Sequence, residues 1–129
     1  MTIQTPLFAA ILTFLYILLS LNVVRRRFAG RVSLGDGEDR DLLKAIRIHS
    51  NFIEYIPLAL LLMWFVENAT LSPILIFASG TALVVARIMH VIGMMYPRNW
   101  MILRQLGTLT TMAVLIALSA RLFAFYFPI

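Results

Sequence analysis

The sequence contains no cysteine, and charged residues are scarce. The missing cysteine excludes disulfide bonds, thiolate metal sites and a cysteine nucleophile, so any thiol chemistry must use a thiol that arrives with a substrate. Only 13% of the 129 residues are charged, whereas 61% are hydrophobic, and the mean hydropathy is +0.91. A chain this apolar lacks the polar residues that would cover the surface of a soluble domain. The composition therefore predicts a protein that is solvated mainly by lipid.

The apolar residues form four long runs, at about residues 7–24, 45–66, 71–95 and 103–127. Each run is close to the roughly 20 residues that a transmembrane helix needs. The first run has no cationic segment before it, as a signal peptide would, and we expect it to be retained. These runs predict an all-α integral membrane protein, a four-transmembrane-helix up-down bundle that occupies residues 1–129 as a single domain.

The basic residues are concentrated between particular runs. The second loop, residues 67–72, has no lysine or arginine, whereas the third loop contains Arg98, with Arg104 just inside the next helix. The first loop contains Arg25, Arg26, Arg27, Arg31, Arg40 and Lys44. The positive-inside rule therefore places loops one and three in the cytoplasm and both termini on the opposite side. Membrane topology explains the net charge of +5, and we expect no nucleic-acid partner because no soluble basic face is present.

Helix two contains polar residues in an otherwise apolar run. At about 100° per residue, Asn51 lies about 40° and Glu54 about 20° from Arg47, on opposite sides of it, and Tyr55 lies about 80° away. These four residues share one face, whereas His49 lies about 200° from Arg47 and points elsewhere. Polar groups within a membrane need partners, which makes this face a candidate site.

Helices three and four carry polar residues at the same membrane face. Arg87 and His90 share a face near the end of helix three, where Gly93 permits a close backbone approach, and helix four begins near Arg104. In the up-down topology, these positions converge with the start of helix two. The residues alone leave a structural alternative open: terminal arginines often extend to the interface, and an Arg47–Glu54 pair would only hold the bundle together.

The spacing of these residues resembles that of a known family. Helix two carries Arg-x-x-x-Asn-x-x-Glu-Tyr-x-Pro at Arg47, Asn51, Glu54, Tyr55 and Pro57, and helix three carries Arg-x-x-His at Arg87 and His90. In four-helix context this pattern is similar to the MAPEG family, the membrane-associated proteins in eicosanoid and glutathione metabolism. The resemblance covers nearly the whole chain and is to bacterial members that are similar to microsomal glutathione transferases. It implies a homotrimer in a bacterial inner membrane, with glutathione bound between neighbouring subunits.

The resemblance also implies roles for individual residues. Arg47 would pair with a carboxylate of glutathione, Asn51 would hydrogen-bond its backbone, and Glu54 would receive its α-ammonium group. Further glutathione contacts would come from Tyr55, Arg87, His90, His49 of the adjacent subunit, and one arginine of the run 25–27, taken as Arg25.

Arg104 matches the family's arginine at the start of helix four, which is credited with stabilising the glutathione thiolate. A guanidinium beside a thiol lowers the pKa of that thiol from about 8.5, so that more of it is ionised at neutral pH. The implied function is a glutathione-dependent transferase or peroxidase. Its substrates would be lipophilic electrophiles or hydroperoxides from the bilayer, and it would need no metal.

One departure from the family pattern keeps two other functions open. Several catalytic relatives have a tyrosine where this chain has Met94, and some family members bind lipid or protein partners without catalysis. A non-catalytic lipid-binding or scaffold role is therefore the first alternative. The second is a small proton-coupled multidrug transporter that uses Glu54, although the nearby cations Arg47 and Arg104 argue against this function.

Overall fold

The structure is a computed structural model that describes residues 3–70 and 72–127. In this part of the chain it contains four α-helices: α1 (Thr5–Gly30), α2 (Arg40–Thr70), α3 (Pro73–Met95) and α4 (Pro97–Tyr126). All four are long and apolar enough to cross a membrane. The prediction of an all-α protein with four transmembrane helices is confirmed. Leu71, where the third apolar run was predicted to begin, lies outside the described residues.

The α1–α2 and α3–α4 connections lie at the same end of the bundle and differ in length. Helix α1 ends at Gly30 because the next residue, Arg31, has a left-handed backbone (φ 52°), and eight more residues lead from Arg31 to α2. The carboxylate of Asp39 caps α2 by accepting hydrogen bonds from the backbone N–H groups of Asp41 (2.8 Å) and Leu42 (3.2 Å). Only Tyr96 separates α3 from α4, and α4 has a local break at Trp100 (φ −125°, ψ 18°). We refer to the end that carries these two connections as the basic end.

Helices α3 and α4 are the most closely packed pair of helices in the described residues. Gly107 of α4 lies against the carbonyl of Ala86 and the backbone of His90, so that a Cβ at this position would overlap with both. Gly93 of α3 lies equally close to the backbone of Arg104, which confirms the close approach expected there. Without side chains at these two positions, the helices bring His90 and Arg104 together at the basic end.

The buried core lies mainly between α2 and its neighbours. Helix α2 packs against all three other helices, whereas α1 and α4 do not contact each other in the described residues. The buried apolar side chains include Phe8, Leu12, Phe52, Met63, Leu83 and Leu118. Only 17% of the apolar window of α1, and the same share of that of α4, is buried. Most of the apolar surface of these two helices must therefore be covered by lipid or by other subunits.

A carboxylate ties the first two helices together at the end opposite the basic end. Glu67, near the end of α2, is only 8% exposed. Its side chain accepts hydrogen bonds from the backbone N–H groups of Gln4 and Thr5 at the start of α1. A negative charge is favourable there because the first N–H groups of a helix lack intrahelical partners. No role for Glu67 had been evident from the sequence.

Candidate functional site

A cavity of about 590 Å³ opens at the basic end, between the start of α2, the end of α3 and the start of α4. Its volume lies in the range of small-molecule sites. Eight of the ten residues that line it have polar or charged side chains; the ten are Arg47, Ser50, Asn51, Glu54, His90, Met94, Arg104, Gln105, Thr108 and Leu109. The cavity therefore contains two guanidinium groups, one carboxylate and one imidazole within a membrane protein.

Helix α2 contributes three of the charged or amide side chains. Arg47, Asn51 and Glu54 all line the cavity, as their spacing on one helical face predicts. Arg47 and Glu54 are exposed, and within residues 3–70 and 72–127 neither has an oppositely charged group at ion-pair distance. Arg47 and Glu54 therefore do not form the ion pair that the structural alternative requires. Both charges are available to a ligand.

Arg104 contacts a sulfur atom and no carboxylate in the described part of the chain. Its Nη1 lies 3.7 Å from Sδ of Met94, the residue at which the sequence departs from the family resemblance. A thioether is a weak and uncharged acceptor. The contact therefore orients the guanidinium but does not neutralise its charge.

Arg87 lies behind the cavity wall and holds one of the lining residues. It is 1% exposed, and its Nη1 donates a hydrogen bond to Oδ1 of Asn51 (2.9 Å). Its Nη2 donates to Oγ1 of Thr111 (2.7 Å) and to the carbonyl of Gly107 (3.4 Å), and its Cζ lies 5.7 Å from the ring centre of Tyr55. Because a guanidinium only donates, the carboxamide oxygen of Asn51 must face Arg87. The amide nitrogen of Asn51 is then left to donate toward a ligand.

His90 lines the cavity and is held by α4. Its Nδ1 lies 3.2 Å from Oγ1 of Thr108, and that hydroxyl donates to the carbonyl of Arg104 (3.0 Å). Since the single proton of the Thr108 hydroxyl is used there, Nδ1 must be the donor of the His90–Thr108 hydrogen bond. The other ring nitrogen, Nε2, is buried and has no hydrogen-bond partner among the described residues.

Two predicted site residues lie elsewhere. Nε2 of His49 is 2.9 Å from Oγ of Ser20, and the His49 ring packs against Tyr16 at a tilt of 31°, with 5.2 Å between ring centres. His49 thus joins α2 to α1. Arg25 is exposed near the end of α1 and is not among the residues that line this cavity. The structure brings together Arg47, Asn51, Glu54, His90 and Arg104, and it places Arg87 and Tyr55 behind them.

The threonines of α4 had not been predicted as site residues from the sequence. Thr108 lines the cavity and orients His90, whereas Thr111 is fully buried and accepts a hydrogen bond from Arg87. Together with Arg104, these residues recur at spacings of four and three, which is one face of a helix. That polar stripe in an apolar segment was the signal that would have found them. In residues 3–70 and 72–127, no cluster of three His, Asp or Glu side chains forms a potential metal site.

The fold and the cavity define a helical membrane protein with a basic, small-molecule-sized cavity at one end of a four-helix bundle. The chain belongs to the MAPEG family, which it matches over residues 5–124. It is similar to the inner membrane protein YecN of Escherichia coli strain K12, with 39% identity over 89 residues, which are 69% of this chain and 68% of that protein. The protein of the same name from E. coli O6:H1 strain CFT073 is similar to the same extent. No solved structure matches the chain significantly.

These comparisons confirm the family resemblance. The four apolar helices and the similarity to an inner membrane protein together support an integral inner-membrane location.

Proposed function

We propose that this protein is a glutathione-dependent membrane transferase or peroxidase that acts on lipophilic electrophiles or hydroperoxides. The observation that carries the proposal is the cavity at the basic end, which presents Arg47, Arg104 and Glu54 without an ion pair between them. Family membership supports the same function, since the family acts in glutathione metabolism.

The charges of the cavity complement those of glutathione. At neutral pH this tripeptide has two carboxylates, one α-ammonium group and a thiol. Arg47 offers a bidentate fork to a carboxylate, and Glu54, two helical turns further along the same face, accepts the ammonium group. The amide nitrogen of Asn51, directed away from Arg87, donates to a peptide carbonyl. One ligand thus uses all three of the charged or amide side chains that α2 presents to the cavity.

Arg104 is the catalytic residue in this proposal. Its guanidinium has only the Met94 sulfur as side-chain partner in the described part of the chain, so its positive charge lowers the pKa of a nearby thiol. The resulting thiolate attacks an electrophilic carbon, a C–S bond forms, and the leaving group departs with the electron pair. With a hydroperoxide, the thiolate attacks the terminal oxygen, the O–O bond breaks, and an alcohol forms. A second glutathione then converts the sulfenic product to the disulfide and water.

The assembly and orientation are parts of the same proposal. Arg47 and Glu54 are exposed on a single chain, and a neighbouring subunit of a homotrimer would cover the ligand that they bind. Because loops one and three carry most of the basic residues, the cavity opens toward the cytoplasm and both termini lie on the opposite side. Met94 and Leu109 give the cavity an apolar part, through which a lipophilic substrate reaches the thiolate from the bilayer.

The test uses the full chain, purified in detergent. We expect turnover of glutathione with a chromogenic aryl halide or an organic hydroperoxide. Glutathione at about 100 times its dissociation constant should stabilise the protein by about 2.7 kcal/mol. Glycine and glutamate at equal concentration serve as controls, because each has an ammonium and a carboxylate but no thiol. Absence of both turnover and stabilisation would reject the proposal.

A second candidate function rests on Met94. A thioether takes the place next to Arg104 where a tyrosine hydroxyl would offer a stronger hydrogen bond, which favours a non-catalytic lipid-binding or scaffold protein. This candidate predicts thermal stabilisation by lipid and none by glutathione. The same melting experiment therefore separates the two functions.

A further inference from the structure

A second cavity, of about 430 Å³, lies where α1 passes into loop one. Its lining combines two cations with apolar side chains: Val24, Arg27, Phe28, Arg31, Val32 and Ser33. None of these residues belongs to the cavity described above. A second site would therefore have its own residues and its own ligand.

The shape of this cavity is formed by the chain itself. Nη1 of Arg27 donates hydrogen bonds to the carbonyls of Gly35 (2.8 Å) and Val32 (3.5 Å), which folds the loop back onto the end of α1. The backbone N–H of Val32 also closes on the carbonyl of Arg27 (3.0 Å). The two arginines are thus presented by an ordered turn and do not depend on a ligand to bring them together.

Three carboxylates of loop one and the start of α2 are engaged elsewhere. Asp36 accepts a hydrogen bond from the backbone of Glu38, and Asp39 caps α2. Asp41 lies near Arg26 (3.9 Å) and Lys44 (3.4 Å). In the described residues no carboxylate lies within 4.0 Å of Arg27 or Arg31, so the cavity has two cations and no counter-ion of its own.

Apolar side chains border the same cations. Phe28 is 80% exposed and Leu34 is 89% exposed, just beyond the point where the apolar run of α1 ends. Large apolar side chains with this exposure next to arginines are typical of a segment at the boundary between acyl chains and head groups. Cations in such a segment lie at the depth of lipid phosphates.

We propose that this cavity binds the head-group phosphate of an anionic phospholipid. Arg27 and Arg31 supply the positive charge. The guanidinium of Arg27 also binds backbone carbonyls of the loop, whereas that of Arg31 does not. Val24 and Phe28 pack against the first carbons of an acyl chain. Basic cavities at the ends of transmembrane helices recognise anionic head groups through such contacts. The bound lipid then packs against the junction of α1 and loop one.

The test measures lipid selectivity of the full chain in detergent micelles. Phosphatidylglycerol should raise the melting temperature and remain bound in native mass spectra, whereas phosphatidylcholine with the same acyl chains should not. Arg31→Gln should weaken phosphatidylglycerol binding roughly fivefold, and Arg27→Gln with Arg31→Gln by more than roughly tenfold. Arg121→Gln, which removes the same charge from an exposed position on α4, should leave binding unchanged.

The controls separate lipid binding from a folding defect and from binding of a free anion. Arg31→Gln leaves the hydrogen bonds of Arg27 intact, so a loss of binding in this variant is not caused by an unfolded loop. Equal binding of the two lipids, or equal loss in Arg31→Gln and Arg121→Gln, would overturn the proposal. Stabilisation by inorganic phosphate as strong as that by phosphatidylglycerol would also overturn it, because the cavity would then be a site for the free anion.

Discussion

The guanidinium of Arg87 donates a hydrogen bond to the carboxamide oxygen of Asn51 across 2.9 Å, from a position that is 1% exposed. Through this contact α3 sets the orientation of a side chain that α2 presents to the cavity. The same guanidinium binds Thr111 and Gly107 of α4, so that three helices meet at one buried charge. Arg87 is therefore a positioning residue for Asn51.

The first prediction concerns this contact. Arg87→Lys keeps the charge, but a single ammonium group does not reproduce the fork that reaches both Asn51 and Thr111. We expect a loss of about 1–3 kcal/mol in the free energy of unfolding, because a buried acceptor loses its donor. Glutathione affinity should fall, while turnover at saturating glutathione should change less. Thr111→Val, which removes one acceptor on the side away from the cavity, is the control and should affect stability without affecting affinity.

The second prediction concerns Arg104. Arg104→Gln should reduce turnover at neutral pH by about 10²–10³-fold, the usual effect of removing a group that stabilises a developing anion, and should retain most of the glutathione affinity. The cation lowers the thiol pKa, so its removal raises that pKa toward about 8.5. In the variant, activity should then rise with pH as the pH approaches the raised pKa of the thiol. In the unaltered protein, the same rise should occur at lower pH.

A pH–rate profile for both proteins checks this expectation. Arg98→Gln, at an exposed position outside the cavity, is the matched control and should keep the profile of the unaltered protein. Superimposable profiles for Arg104→Gln and the unaltered protein would contradict the role of Arg104.

The third prediction concerns Glu54. If its carboxylate receives the α-ammonium group, Glu54→Gln should weaken glutathione binding by about 10–100-fold, the range for a hydrogen bond to a charged group. N-acetylated glutathione lacks that ammonium group and should bind the variant and the unaltered protein equally. Calorimetry of the four combinations forms a double-mutant cycle, and a coupling energy near zero would remove Glu54 from this role.

The fourth prediction concerns the contact between α3 and α4. Gly107→Ala places a methyl group against the carbonyl of Ala86 and the backbone of His90. We expect the two helices to separate, with a loss of stability of about 1–3 kcal/mol from the added bulk and a larger fractional loss of activity than of folded protein. Gly30→Ala is the matched control, since its methyl group would make an ordinary contact of 3.5 Å with Val32. Similar effects of both substitutions would argue against this interpretation.

The parts of the structure that follow from local pattern were predictable from the sequence. The four helices are long apolar segments, and the face shared by Arg47, Asn51 and Glu54 follows from helical periodicity alone. The convergence of α2, α3 and α4 at one end follows from short connections and antiparallel neighbours. These features need no knowledge of how the helices rotate against one another.

The remaining features depend on that rotation. Arg87 lies behind Asn51 because Gly107 allows α4 to pack close to α3. A helical wheel of α3 alone does not show that Arg87 is buried in this way. His49 faces away from Arg47, as predicted, but its partner Ser20 is on α1, whose rotation the sequence does not specify. Whether His49 contacts glutathione in a neighbouring subunit, as the family resemblance implies, stays a prediction.

Glu67 has a consequence for the order in which the protein is made. The carboxylate that accepts the hydrogen bond of the Thr5 N–H lies 62 residues later in the chain, at the end of α2. During synthesis, α1 enters the membrane before this carboxylate exists, with its first N–H groups still unpaired. The hydrogen bonds of Gln4 and Thr5 to Glu67 therefore form only once α2 is in place, so the start of α1 is held by the α1–α2 hairpin and not by α1 alone.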